Sequence, residues 1–270
     1  YPYFKNRGID LDTQRAFCGH FFLASRHRTD GKLFTNLAFP LSLPAWPGKH
    51  IVGLEERSRP NAEGKTAYKG MAAGSNATEG MWIGRLEQHR SDVGYTTPLS
   101  GAKDVYWFES AFDAMAFYQI EKKGNVAYAD LGNAVFVSTG GTPSVRQFAG
   151  MLEQIPNANH HLCFDRDRAG QLYAVNFALQ MNGRVFNSHT TPKDTLVVTD
   201  LTGKYGRHEM NVATFDFDAI CKELGLDKQH IDYRPPSEGY KDWNDQLLDK
   251  LMDESMEQDN TEEKQTRFRR

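Results

Sequence analysis

The chain has 270 residues, 39% hydrophobic and 25% charged, with a formal net charge of −3; that is enough for one large domain or two modest ones, and no apolar run is long enough to span a bilayer. A globally basic protein is excluded, so any nucleic-acid role needs a local basic surface or a bound cation. Cys18, Cys163 and Cys221 are far apart and form no CxxC pair, which argues against a disulfide framework or a zinc ribbon and fits a reducing cytoplasm.

The opening YPYFKNRGID has no basic-then-apolar signal layout and no initiator Met, as expected of a trimmed or processed longer chain. Residues 9–17 (IDLDTQRAF) read as a short helix with Asp10 or Asp12 as N-cap. Leu33–Pro40 and His50–Glu55 read as strands broken by Gly, Asn and Pro. Together, residues 1–100 read as a small α+β module. Trp46, Trp82 and Trp107 are expected in the core.

From Lys103 the texture changes. VYWF (105–108) is the apolar run of a buried strand, followed by Glu109-Ser110 and a helical pattern to about Lys123 that places Phe112, Met115, Ala116 and Ile120 on one face. Ala134–Ser138 is a second strand, ending in Thr139-Gly140-Gly141-Thr142-Pro143 ahead of a helix. His160–Phe164 is a third, with one histidine packed and the other meeting solvent. It runs into Asp165-Arg166-Asp167-Arg168-Ala169-Gly170 and a helix carrying Leu172, Val175 and Leu179. Strands alternating with helices imply an α/β fold with a parallel sheet. Residues 183–230 read as an insertion, with a strand at Thr195–Thr199 and a short helix at Asp216–Leu224. Ile231–Tyr233 resumes the sheet before Lys241-Asp242-Trp243-Asn244-Asp245. That organisation puts one domain at 101–250 and a charged, flexible tail at 251–270.

In a parallel sheet, ligands bind beyond the carboxyl ends of the strands. Glu109 ends one strand, Asp165 and Asp167 follow another, and Asp242, Asn244 and Asp245 follow the last. Carboxylates gathered at one edge repel one another unless a cation is present, and hard oxygen ligands suit Mg²⁺ or Mn²⁺. Alternate residues of an extended chain point the same way, so Asp165 and Asp167 can face one ion while Arg166 points elsewhere. The plain alternative is that Asp167 simply caps a helix. Asp113, one turn after Glu109, reaches the same side, or is a solvated helix acid. The reading requires these acids to converge, and a lysine or arginine lodged among them would count against it.

The segments VYWFESAFDAMAF (105–117) and HLCFDRDRAGQLYA (161–174) resemble the Toprim signature, a domain shared by bacterial primases, topoisomerases and some nucleases. The turn at 138–142 resembles that family's Gly-Thr turn, and YRPPSEGYKDWNDQLL (233–248) resembles the third acidic motif of primases. The resemblance implies a Toprim-like parallel sheet flanked by helices. It makes Glu109 the general acid/base or a metal ligand, and Asp165, Asp167, Asp242 and Asp245 metal ligands for Mg²⁺ or Mn²⁺. Phe39-Pro40, Ile51–Arg57 and Tyr68-Lys69-Gly70 resemble the region that precedes Toprim in primases and contacts nucleotide or template. That implies Arg57, Lys65, Lys69 and Lys241, with Arg59 next, as nucleotide- or nucleic-acid-binding residues.

Chains of this pattern are similar to primase-like proteins of bacterial mobile elements, in which a zinc module often precedes this part. The resemblance therefore implies metal-dependent nucleotidyl transfer in DNA replication or mobilisation. The implied partners are DNA or RNA template, nucleotides, and a helicase or relaxase. A nuclease or nickase at the same site and a non-catalytic nucleic-acid-binding accessory protein are the alternatives.

Overall fold

The computed structural model describes residues 2–27, 31–61, 63, 65–86, 99–124 and 131–253. Two short helices, α1 (Pro2–Lys5) and α2 (Leu11–Ala16), come first. Asp10 caps α2, its carboxylate accepting the Thr13 N–H at 2.7 Å. A four-stranded antiparallel sheet follows in the order β1 (Phe22–His27), β2 (Leu33–Ser42), β3 (Ile51–Ser58), β4 (Lys69–Met71). Its register sets Leu37 opposite Arg57 and Phe39 opposite Glu55. It likewise sets Asn36 opposite Ser58 and Ala38 opposite Glu56. The pleat sends these two sets to opposite faces.

β5 (Trp82–Gly84) joins the second sheet, pairing antiparallel with β7 (Val135–Ser138). The order there is β12-β8-β6-β7-β5, with β6 (Asp104–Phe108), β8 (Asn159–Leu162) and β12 (Ile231–Tyr233) all parallel to β7. The chain steps from β6 to β7 on one side and then crosses to β8 on the other. The crevice above β6 and β8 is therefore a topological switch point, where α/β sheets bind ligands.

Alternation along β6 builds two cores. Val105 and Trp107 pack with Val135, Val137, Phe148 and Phe177. Tyr106 and Phe108 pack with Phe136, Phe117 and, from the first half of the chain, Phe4, Phe17, Phe39 and Trp82. Helices α3 (Ala111–Gly124), α4 (Val145–Gln154) and α5 (Arg168–Met181) connect the strands. Residues 111–120 of α3 are all buried, so the helix lacks the single apolar face the sequence pattern suggested. It is enclosed by sheet and N-terminal segment together, and a helix covered on all sides need not be amphipathic.

The 183–230 stretch forms a three-stranded antiparallel sheet, β9 (Phe186–Thr190), β10 (Thr195–Asp200) and β11 (Arg207–Asn211), followed by α6 (Phe217–Glu223). Sequence patterning finds β10 and α6 but not β9 or β11. FNSHT and RHEMN are largely polar, and only Met210 among their residues is fully buried. A last helix, α7, covers 243–253; the rest of the charged tail lies outside the described residues. His160 is buried and His161 partly so. Trp82 and Trp107 are core, but Trp46 is 53% exposed, its ring edge-on to His50 at 6.0 Å. The three cysteines are free. Among the described residues, no helix is long and apolar enough to cross a membrane.

Candidate functional site

Glu109 leaves β6 at its carboxyl end. The turn after β7 fixes its backbone: Gly141 N donates to the Glu109 carbonyl at 2.8 Å, and Ser138 Oγ does so at 3.3 Å. Gly140 and Gly141 hold φ of +73° and +118°, conformations that glycine adopts without the cost a Cβ imposes. The Glu109 side chain then reaches the next loop, where its Oε1 accepts the Asp165 N–H at 3.3 Å.

Asp167 has two uses. Its Oδ1 caps α5 by accepting the Gly170 N–H at 3.0 Å, while Oδ2 lies 3.4 Å from Lys241 Nζ. The capping role and a charged role thus fall on different oxygens of one carboxylate. Asp242 behaves alike: Oδ1 caps α7 through the Asp245 N–H at 2.8 Å, leaving its other oxygen without a hydrogen bond among the described residues. Arg166 does point away, its Nε donating to the Pro236 carbonyl at 2.7 Å. Its N–H donates to the Lys241 carbonyl at 2.7 Å, tying the loop after β8 to that after β12.

Asp113 is buried rather than solvated. It accepts from Ser110 Oγ at 2.5 Å and from Asn244 N at 3.2 Å. Asn244 in turn holds the N-terminal segment, receiving Arg7 Nη1 at 3.0 Å and donating to the Arg7 carbonyl at 2.7 Å.

The electrostatics follow from this crowding. Burial, then the negative charges of Asp113, Glu109 and Asp242, push the Asp165 carboxyl up to about 8. Burial and Asp167 push Glu109 up to about 7. Burial and Asp242 push Asp113 up to about 6. Asp245 is raised by burial and Asp242. Uncompensated carboxylates raise one another in this way.

A lysine does stand among them. Lys241 Nζ lies 3.5 Å from Asp165 Oδ2 and 3.4 Å from Asp167 Oδ2, and this counts against a resident ion. The contact is loose, since charge-assisted bonds run nearer 2.7–2.9 Å, and the lysine side chain is 59% exposed on a flexible stem. Among the described residues, no three His, Cys, Asp or Glu side chains form a ready-made metal cage. The donor set nonetheless fits a hard divalent ion: it is all oxygen, crowded, and short of positive charge. Mg²⁺ commonly keeps its waters and binds through one or two carboxylates plus substrate phosphates, without a protein cage.

The expected basic residues divide. Arg57 is buried, bonded to the Glu55 carboxylate and to the Glu56 carbonyl at 3.0 Å; the other Glu55 oxygen, Oε2, is buried with no hydrogen bond among the described residues. Lys69 is exposed on β4, across from Arg57. Lys65 is exposed and pairs with Glu63 at 3.3 Å. Arg59 is exposed. Among the described residues, none of these four bonds to or pairs with the acid cluster, whereas Lys241 sits within it. Sequence reasoning missed Arg7 and Tyr173. The Tyr173 hydroxyl lies 2.9 Å from Thr142 Oγ1 and is raised by burial and then, after the opposing Thr142 bond, by Glu109, Asp167 and Asp165. Arg7 arrives from the distant N-terminal segment, where no spacing rule points to it, whereas Tyr173 lies on α5, the helix that Asp167 caps, and reads there as one more apolar helix residue.

Residues 106–195 match the family model described as Toprim-like. No curated protein matches the chain. Among solved structures, the primase fragment of the bacteriophage T7 primase-helicase protein is similar, at 14% identity and a TM-score of 0.47, over 94% of this chain and 72% of that one. The chain thus carries a Toprim-like α/β domain, with its matched span beginning on β6 and ending on β10.

Proposed function

We propose that the chain is a primase-like nucleotidyl transferase that extends nucleic acid at the Glu109–Asp165–Asp167 cluster, with residues 101–250 as the catalytic domain and 1–100 as a module that helps hold nucleotide or template. The observation that carries this reading is the convergence of Glu109 and Asp165 at the switch point, joined by a 3.3 Å hydrogen bond, in a domain whose family match is Toprim-like.

Asp165 and Asp167, with the free oxygen of Asp242, would hold Mg²⁺ or Mn²⁺, which supplies charge compensation for phosphates when bound. Glu109, raised to about 7, exists in both protonation states near neutrality, as a general base should. It takes the proton of the attacking 3′ hydroxyl as that oxygen bonds to the α-phosphorus and pyrophosphate leaves. Lys241, loosely held by the two aspartates, would be available to pair with the phosphates when an ion occupies the aspartates. Asp245 flanks the site, and Lys65 and Lys69 offer exposed charge to the strand. Arg57 acts through Glu55 as a buried brace. A helicase or relaxase is the partner such a protein would serve in replication or mobilisation of a mobile element.

The test is incubation of the chain with Mg²⁺ or Mn²⁺, labelled nucleotides and a single-stranded template. Short primer products that vanish in Glu109→Gln are the expected result. Strand cleavage in place of synthesis would make the site a nuclease or nickase, and binding without turnover would make the chain an accessory factor.

A further inference from the structure

The acid cluster lies on one side of the four-stranded sheet, and a large open cavity lies on the other. Glu55 and the β4 residue Met71 face the Gly140 turn: a Cβ on Gly140 would overlap Met71 Cε and stand 3.9 Å from Glu55 Oε2. Glu56, one residue on, must point the opposite way. There it lines an open cavity of about 940 Å³ with Arg26, Phe34, Asn36, Arg59 and Tyr68.

The cavity has the parts of a base-binding site. Its floor is a buried acceptor: Glu56 is 2% exposed and held by Arg26 and by Asn36 Nδ2 at 3.0 Å. Each carboxylate oxygen has further lone-pair capacity beyond that one bond, so an amino edge can dock there. Its walls include two rings, Phe34 and Tyr68, with no aromatic or cationic partner among the described residues. That is unusual in a molecule whose other rings pair widely, Phe39 with Phe112 at 5.3 Å and Phe4 with Phe21 at 4.8 Å among them. Its rim carries Arg59, exposed and without an ion pair or hydrogen bond among the described residues. Arg26 is already committed to Glu56, so Arg59 is the one free cation among the described residues that line the cavity. One cation matches the single charge of a phosphodiester and falls short of a triphosphate.

We infer that this cavity is a holding site for single-stranded nucleic acid, in which one base lies against Phe34 and Tyr68 with its amino edge on Glu56 and its phosphate on Arg59. Stacking platforms of this kind hold strands with little sequence preference. An acidic protein can bind a strand this way because aromatic surface does what a basic face would otherwise do. The site shares a ligand class with the proposed function but needs neither cation nor turnover.

The test is anisotropy of a labelled single-stranded oligonucleotide with the full chain in EDTA, where ion-dependent binding at the acid cluster is absent. Phe34→Leu and Tyr68→Leu keep apolar bulk and remove the stacking plane; each is expected to weaken binding about tenfold at unchanged melting temperature. Arg59→Ala is expected to flatten the slope of log K against log salt by about 0.7, the contribution of one phosphate on a single strand. A 4-thiothymidine strand should crosslink at Phe34 or Tyr68. Wild-type affinity in both Leu variants, crosslinks confined to other segments, or a nucleoside triphosphate that outcompetes the strand would each overturn the assignment. Failure of primer synthesis would leave these results untouched.

Discussion

Gly170 is pressed against Asp165. A Cβ at position 170 would overlap the Asp165 carbonyl oxygen and stand 2.9 Å from both Asp165 C and Asp165 N. The glycine that follows the two aspartates is therefore there to let the start of α5 close onto the loop that carries them. Gly170→Ala must push that loop outward. Overpacking of this kind costs about 1–3 kcal/mol, or a melting-temperature drop of about 2–4 °C per kcal/mol in a domain of this size. Calorimetry should show that drop, together with loss of nucleotidyl transfer. A variant with unchanged stability and activity would contradict the packing argument.

The acid cluster sets a pH dependence whose sign is fixed. Glu109 and Asp165 titrate near 7 and 8 in the folded chain, against about 4 when unfolded. Both are raised, so both favour the protonated folded form. Their stabilisation is full below about pH 4 and is lost as pH climbs through about 7 and 8. Asp165→Asn mimics the protonated acid. It is expected to raise the melting temperature at pH 8 by several degrees and to flatten the pH profile, while abolishing activity. A melting temperature lowered at pH 8 would show that the carboxylates are not in conflict.

Lys241 is a competitor for any ion, since its ammonium holds both Asp165 and Asp167. Lys241→Met should therefore lower stability in EDTA and tighten Mn²⁺ binding several-fold, measured by titration calorimetry. If the substitution weakens Mn²⁺ binding, the lysine is part of the ion's support and not its rival.

How much of this was legible beforehand varies by element. Strands β6 and β7 announce themselves because they are buried on both faces and read as apolar runs, whereas β8 (NHHL) shows itself chiefly through the Leu162–Phe164 run that follows its two histidines. The loop acids are legible because they follow those strands. The Asp167 cap is readable from its place before a helix; the Asp242 cap is less visible, since it depends on where α7 starts, which spacing gives only to within a residue or two. Asp113 was ambiguous because its burial comes from Asn244 and Arg7, far away in sequence. Arg57 reads as a surface cation, yet its buried place follows from pairing with Glu55 two residues before it on the same face. Trp46 reads as core on residue type alone, and its exposure is a matter of where the β2–β3 loop runs.

A second titration lies at the opposite edge of the sheet. His161 sits across three adjacent strands, Nδ1 2.9 Å from Asp232 Oδ2 and Nε2 2.9 Å from Asp104 Oδ1, and stacks on Tyr106 at 4.4 Å. Burial alone would lower its pKa, but the bonds to Asp232 and Asp104 raise it overall. The clamp therefore stabilises fully below about pH 6.5 and weakens as pH rises past the raised value. NMR titration of the His161 ring should find that elevation, and Asp232→Asn should reduce it. A ring titrating below the usual histidine range would contradict the clamp.

Manganese binding followed by electron paramagnetic resonance reaches the central claim most directly, because it needs no substrate and no turnover. Wild-type chain is expected to bind Mn²⁺ and be competed by Mg²⁺, with affinity falling at least tenfold in both Asp165→Asn and Asp167→Asn. Equal affinity in wild type and both variants would mean that these carboxylates do not hold the ion, and the proposed chemistry would have no seat.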